Sequence, residues 1–222
     1  PQEVKGMDRI ATRETTIGDT FKASGYATGM VGKWHNGALD PRYHPNARGF
    51  DEFIGFRGGW ADYYRWRLDV NGSPRQSDGR YLTDVLSEEA VSFIGRHASE
   101  PFLLMVPFNA PHYPMHAPKE YMDRFDHLPW DRQVMAAMIS VVDDSIGKIM
   151  NEVDRLGIAG DTLSTFTSDN GPSRESRNWL DGTLDPYYGG TSGQFKGHKY
   201  SLFEGGIRLP GIMHWPGHIT PG

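Results

Sequence analysis

The sequence lacks cysteine, and this absence excludes several kinds of site. Without thiols, the 222 residues can form no disulfide framework, thiolate metal site or cysteine nucleophile. Long hydrophobic runs are also missing, since no segment reaches the roughly eighteen apolar residues of a membrane-spanning helix. The net charge of −5 gives no basic field for a nucleic acid. The polar side chains that remain are therefore the candidates for chemistry.

Helical patterns alternate with apolar runs along the chain, and 37% hydrophobic content is enough for one domain with its own core. Three such units occur: residues 16–25 before a strand at 28–31, residues 81–100 before a strand at 102–108, and residues 131–157 before a strand at 163–167. The alternation predicts an α/β fold with a mostly parallel central sheet and helices on both faces. Ligands are then expected at the carboxyl ends of the strands.

The segment between the first two units is rich in aromatic and basic residues. Asn71-Gly72 is a two-residue hairpin signal, so we predict an antiparallel excursion. We interpret its aromatic residues as packing and hairpin pairing rather than as a sugar platform: Trp60, Tyr63, Tyr64 and Trp66. Residues 174–199 are polar and glycine-rich, which is typical of a functional or mobile loop.

The three predicted strand ends carry the motifs "GKWH", "NAPHYPMHAP" and "SDNG", which we expect to converge on one rim. In the last motif, Asp169 and Asn170 offer a carboxylate and an amide oxygen. These are the hard donors that Ca²⁺ or Mg²⁺ requires. The same motif is typical of a turn, in which the aspartate caps the backbone.

Four donors could neutralise an oxyanion beside such an ion: Lys33, His35, His112 and Lys199. Lys196 competes with Lys199 for this role. His112 and His116 have the spacing of a helical metal pair, but the prolines around them prevent a helix, so we interpret both as loop histidines. We assign the other histidines outside the loop to structure or solvent: His44, His97, His127, His214 and His218. The expected anion is sulfate-like or phosphate-like.

The joint order of these motifs resembles the type I sulfatase family of the alkaline phosphatase superfamily. The matching pieces run from about residue 14, through "GYATGMVGKWHNG", "APHYPMHAP" and "TFTSDNG", to "GHKYSLFEGGIRLPGIMHWPG". The resemblance implies that Asp169 and Asn170 ligate Ca²⁺. It also implies that Lys33, His35 and His112 hold the sulfate and the modified nucleophile, and that Lys199 binds sulfate. His112 and Lys199 would then face the leaving-group oxygen.

Two features depart from the family pattern. The formylglycine nucleophile, made from Cys or Ser in a C/S-x-P-x-R motif, has no counterpart here. We expect that motif and a further pair of metal-binding aspartates before Pro1, so that residues 1–222 form a partial catalytic domain, incomplete at both ends and inactive alone. In addition, Ala61 stands where many members carry an active-site histidine.

For the intact protein the resemblance implies hydrolysis of a sulfate ester. We favour a sulfated carbohydrate over another sulfated small molecule, because the aromatic, arginine-bearing hairpin could stack and pair with a sulfated glycan. One alternative is a phosphonate monoester or phosphodiester hydrolase of the same superfamily, and another is a non-catalytic binding protein. Full-length sulfatases of this kind are expected in the periplasm or outside the cell, and the oligomeric state stays open.

Overall fold

The computed structural model describes residues 9–173 and 190–222, and its centre is a five-stranded sheet. The strands are β1 (Ala27–Lys33), β2 (Glu52–Phe56), β3 (Arg67–Val70), β4 (Ser73–Gln76) and β5 (Phe102–Met105). Their order is β4-β3-β2-β1-β5. β1 pairs in parallel with both β2 and β5, whereas β3 is antiparallel to β2 and to β4. The parallel centre and the hairpin at Asn71-Gly72 are both confirmed.

Five α-helices accompany the strands within the described ranges: α1 (Ile17–Ala23), α2 (Leu82–His97), α3 (Lys119–Met122), α4 (Trp130–Arg155) and α5 (Glu204–Ile207). The predicted capping box starts α1, since the Thr16 hydroxyl accepts from the Asp19 amide at 3.1 Å and the Asp19 carboxylate accepts from the Thr16 amide at 2.9 Å. Past the ends of α1 and α4, Gly25 and Gly157 have φ values of +83° and +72°.

Alternate residues of the parallel strands pack on opposite faces of the sheet. Val31 and Ile54 join the larger core, to which α2 contributes Leu86 and α4 contributes Met138. Met30 and Phe53 point to the other face. There they form a smaller cluster with Trp34 and Phe50, and a side chain at Gly18 of α1 would meet the Phe50 ring. Helices therefore cover both faces, as predicted.

The end of β1 is held between its neighbours by close backbone approaches. Gly32 has φ of +135°, and a Cβ there would lie 2.3 Å from the carbonyl oxygen of Pro107. A Cβ on Gly55 would lie 1.9 Å from the carbonyl oxygen of Gly32. Only glycine fits at either position. The Lys33 amide then donates to the Pro107 carbonyl at 2.9 Å, which fixes where this strand end emerges.

The third predicted strand does not join the central sheet. β6 (Ser164–Thr167) pairs antiparallel with β7 (Gly211–His214) in a separate two-stranded ribbon. Except for Ser164, its residues are exposed, as are those of β7. Most of the predicted loop, residues 174–189, lies outside the described residues. Among the described helices, none has the length and apolar character required to cross a membrane.

Candidate active site

Lys33 is the last residue of β1 and the first candidate site residue along the chain. Its side chain is half-buried, and burial lowers the pKa of Lys33. The negative charge of Asp169 opposes this shift, whereas the positive charge of Lys199 adds to it. These electrostatic interactions place the end of β1 beside the segments that follow β6. The structure therefore brings together residues from three distant parts of the sequence.

His112 lies in the loop after β5 and is fixed through its backbone. Its amide donates to the Asn109 carbonyl at 2.7 Å, and its carbonyl accepts from the Tyr63 hydroxyl at 2.9 Å. Tyr63 is fully buried in the larger core and stacks on Tyr81, with ring centroids 5.1 Å apart. The core thus supports His112 through a buried phenol. Sequence reasoning assigned Tyr63 to packing and missed this second role, for which the sequence carries no signal.

The imidazole of His112 contacts Lys199 directly. Its Nδ1 lies 2.8 Å from the carbonyl oxygen of Tyr113, which can only accept, so Nδ1 carries the hydrogen. In the neutral ring Nε2 is then an acceptor, and the Lys199 ammonium lies 3.3 Å from it. The Lys199 amide donates to the Pro172 carbonyl at 3.0 Å, so the backbone of this loop is also tied down. His112 and Lys199 form one unit at the rim.

Between the two competing lysines, Lys199 is the one that reaches the other candidate residues. Lys196 is exposed, and its ammonium lies 4.1 Å from the centroid of the Phe203 ring. This cation–π contact holds Lys196 against its own loop.

Asp169 and Asn170 follow β6, as predicted. The amide nitrogen of Asn170 donates to the Gly171 carbonyl at 2.8 Å, which leaves its Oδ1 as the acceptor available to a cation. Only glycine fits at position 171, because a Cβ there would lie 1.9 Å from the carbonyl oxygen of Gly205. One carboxylate and one amide oxygen match the donor chemistry of Ca²⁺, which takes roughly six to eight oxygens. Residues 9–173 and 190–222 contain no cluster of three or more acidic, histidine or cysteine side chains suited to a metal.

His35 stands on the loop after β1, with φ of +49° and its amide 3.2 Å from the Arg57 carbonyl. Its exposed ring lies over Gly59, where a Cβ would come within 2.8 Å of the ring atoms. Gly59 therefore sets the position of His35, a role that sequence reasoning missed. The motif "GFRGG" was the available signal, since only a residue without a side chain admits a ring this close.

The structure also locates Ala61 and two of the histidines that the sequence analysis assigned to structure or solvent. The Ala61 carbonyl accepts from the Asn109 side chain at 3.5 Å, and the methyl group packs against the larger core. His44 and His97 are structural, as predicted: they lie 3.1 Å from Asp69 and 2.8 Å from Glu52.

Comparison with known proteins gives consistent matches. A family model described as Sulfatase matches residues 2–221. The chain is 34% identical to N-acetylgalactosamine-6-sulfatase of Homo sapiens over 241 residues, covering 100% of this chain and 43% of that protein. It is 31% identical to an arylsulfatase of Hemicentrotus pulcherrimus, covering 94% of this chain and 39% of that protein. The chain thus spans less than half the length of these relatives.

A solved structure shares the architecture at similar identity. The crystal structure of Ps i-CgsB in complex with k-i-k-neocarrahexaose superposes with a TM-score of 0.82 at 34% identity. The match covers 95% of this chain and 49% of that one.

Proposed function

The chain belongs to the sulfatase family, and we propose that the protein containing it hydrolyses a sulfate ester of a carbohydrate. The observation that carries this proposal is the contact between Lys199 and His112, 3.3 Å apart, beside the half-buried Lys33 and the carboxylate of Asp169. A relative named N-acetylgalactosamine-6-sulfatase and a neighbour solved with k-i-k-neocarrahexaose support the carbohydrate class.

Two neighbouring lysines can stabilise the negative charge on the sulfate oxygens in the transition state. The positive charge of Lys199 lowers the pKa of Lys33, so the two ammonium groups are close enough for one oxyanion to gain from both charges. Partial burial of Lys33 reduces solvent screening and makes this attraction stronger. We assign both lysines to the sulfate oxygens. His35, which lies on the same strand end, is assigned to the nucleophile and sulfate on the family pattern.

We assign protonation of the leaving group to the His112–Lys199 pair. The Lys199 ammonium points a hydrogen at Nε2 of His112, while Nδ1 is occupied by the Tyr113 carbonyl. The proton shared between the two side chains therefore lies between Nε2 of His112 and the ammonium of Lys199. An alkoxide that leaves sulfur at this place would take up that proton, which sugar alcohols need because they are poor leaving groups.

Asp169 and Asn170 would hold Ca²⁺, with Mg²⁺ as the other hard cation that fits carboxylate and amide oxygens. When bound, the ion would withdraw charge from a sulfate oxygen. The sequence contains no C/S-x-P-x-R motif from which formylglycine could form, so we place the nucleophile outside these 222 residues, which then form part of a catalytic domain.

The test uses the full-length protein and measures sulfate released from a sulfated sugar and from an activated aryl sulfate. We expect His112→Ala to lower kcat/KM on the sugar sulfate by about 10²–10⁴-fold, and less on the aryl sulfate, whose leaving group needs no proton. His127→Ala is the matched control, because His127 is exposed in the helix-connecting region after α3. Its activity should equal that of the wild type.

Unchanged turnover of the sugar sulfate in His112→Ala would overturn the assignment to His112. A phosphonate monoester or phosphodiester turned over faster than any sulfate ester would overturn the reaction class. Retention of a sulfated glycan without any release of sulfate would show a binding protein instead.

A further inference from the structure

A cleft lies at the open end of the β3–β4 hairpin, apart from the residues assigned to the reaction. Its volume is about 340 Å³, which is at the lower end of the range for small-molecule sites. The lining residues are Tyr64, Arg65, Trp66, Gln76, Ser77 and Gly79. The two strands of the hairpin, β3 and β4, converge at this end through the pair Arg67 and Gln76.

Arg65 gives the cleft an unbalanced positive charge. Two nearby arginines are neutralised: Arg75 lies 2.5 Å from Glu89, and Arg80 lies 2.9 Å from Asp78. Arg65 is exposed and forms no ion pair with any residue that the structure describes. The nearest acid in sequence is Asp62, whose carboxylate accepts the Arg65 backbone amide at 2.7 Å. The guanidinium itself is therefore available to an anion.

The other lining groups are neutral and polar or aromatic. Burial raises the pKa of Tyr64, and the charges of Glu120 and Asp84 add to the shift, so its hydroxyl stays protonated at neutral pH. The exposed Gln76 amide supplies a further hydrogen-bonding group, whereas the Ser77 hydroxyl already donates to the Tyr64 carbonyl and accepts from the Gly79 amide. Trp66 is buried and donates to the Arg80 carbonyl at 2.9 Å, so it forms a fixed wall. This set suits the hydroxyls and an anionic substituent of a sugar.

The cleft is connected to the candidate active site through adjacent residues. Tyr63 bonds to the His112 carbonyl at 2.9 Å, and the Tyr64 ring lies 5.8 Å from the His116 ring. Arg65 precedes β3, which runs antiparallel to β2, so Arg65 lies at the end of the sheet where the parallel strands β1 and β2 finish. A chain of a few sugars with one sulfate at His112 could therefore extend along this segment to Arg65.

We propose that the cleft binds a second, anionic sugar unit of the substrate, with Arg65 paired to its sulfate or carboxylate. The inference rests on the proposed function, because it assumes that a glycan is processed beside His112. Arg65 is then a specificity-determining residue, which acts on substrates that carry a second charge and leaves the reacting sulfate untouched.

The experiment compares Arg65→Ala with wild type in the full-length protein, by kcat/KM and by Kd. The probes are three oligosaccharides with the same scissile sulfate: one with a second sulfate on the neighbouring sugar, one with a uronate carboxylate there, and one with neither. We expect Arg65→Ala to lose at least tenfold on one or both charged probes and less than about twofold on the neutral one. Arg67→Ala is the matched control, because Arg67 is exposed two residues on, forms no ion pair within the described chain and does not line the cleft.

The two charged probes identify which anion the cleft prefers. Equal losses on all three probes, or no loss on any, would overturn the proposal, as would an equal effect of Arg67→Ala. Absence of sulfate release from every probe would count against the proposed function instead. In that case an Arg65-dependent Kd would still support the cleft, and a Kd independent of Arg65 would overturn it.

Discussion

Strands β1, β5 and β6 were predicted from the same signal, an apolar run after a helical pattern, yet β6 lies outside the central sheet, in the ribbon with β7, and the two regions differ in burial. Met30 and Val31 of β1 are each 2% exposed, because helices and strands cover both faces of that strand. Phe166 of β6 and Ile212 of β7 are 45% and 63% exposed. The difference teaches that burial of a strand is set by what packs on it and not by its own composition.

The candidate active site spans both regions. Lys33 and His112 extend from the central sheet, whereas Asp169 and Lys199 belong to the loops around the ribbon. Lys199 contacts His112 across this division, and Asp169 acts on the charge of Lys33. The central sheet thus positions Lys33 and His112, and the loops around the ribbon bring Asp169 and Lys199 to them.

The largest expected effect is on stability, and it compares one phenylalanine from each region. Phe53→Ala empties a fully buried place in the smaller cluster and should lower the free energy of unfolding by about 3–5 kcal/mol. Phe166→Ala removes a ring that is 45% exposed and should cost less than about 1 kcal/mol. Urea denaturation of the two variants measures both values. An equal cost would show that other parts of the protein cover the ribbon.

The next effect is on activity and compares two adjacent glycines. Gly59→Ala would bring a Cβ within 2.8 Å of the His35 ring, so the ring must move. A displaced site residue should lower kcat/KM by about 10²-fold while the melting temperature stays nearly constant. Gly58→Ala is the control, since a Cβ there meets nothing within 4 Å. Equal activity of the two variants would show that His35 tolerates displacement and has no part in the reaction.

Periodicity and local capping and turn signals predicted β1, β5, the hairpin and the three longest helices, but not β2. The spacing from Leu82 onward gave α2, the capping pair Thr16 and Asp19 gave α1, and Asn71-Gly72 gave the hairpin. These features are local, so a short window of sequence determines them. The pairing of β6 with β7 is not local, because the two strands lie more than forty residues apart and neither composition nor period specifies a partner.

Within the site, residue type predicted the candidates but not their contacts. Lys199 and Lys196 are alike in sequence, and only the fold shows that Lys199 reaches His112 while Lys196 stacks on Phe203. The supporting roles of Gly59 and Tyr63 were not predicted. Gly59 acts through its contact with the His35 ring, and Tyr63 acts through its hydrogen bond to the His112 carbonyl. Such contacts depend on tertiary geometry, which a residue pattern does not carry.

A smaller effect concerns the charge coupling between the two regions. Lys199→Met should raise the pKa of Lys33, because it removes a positive charge that lowers it, and Asp169→Asn should lower that pKa further. Lysine side-chain NMR across a pH titration measures the change, with Lys196→Met as the control. Since burial holds the pKa of Lys33 below its unfolded value, the free energy of unfolding should rise with pH through the interval between the two values. An unchanged pKa in both site variants would show that the regions are not coupled.

The smallest expected effect is a pH dependence at the end of α2, where it contacts the central sheet. Burial lowers the pKa of His97, but hydrogen bonds to Glu52 at 2.8 Å and Glu100 at 2.7 Å outweigh it and raise the pKa overall. The protonated ring therefore stabilises the fold fully below about pH 6.5, its unfolded value, and this contribution is lost as the pH rises through the higher folded value. His97→Gln should cost less than about 1 kcal/mol at pH 6 and still less at pH 9, measured by thermal melts.

His214→Gln on exposed β7 is the control, since His214 forms no ion pair within the described ranges, and its melting temperature should follow the wild type at both pH values. A His97→Gln deficit that grows with pH would contradict the assigned protonation, because the neutral ring rather than the imidazolium would then be the form that stabilises the fold.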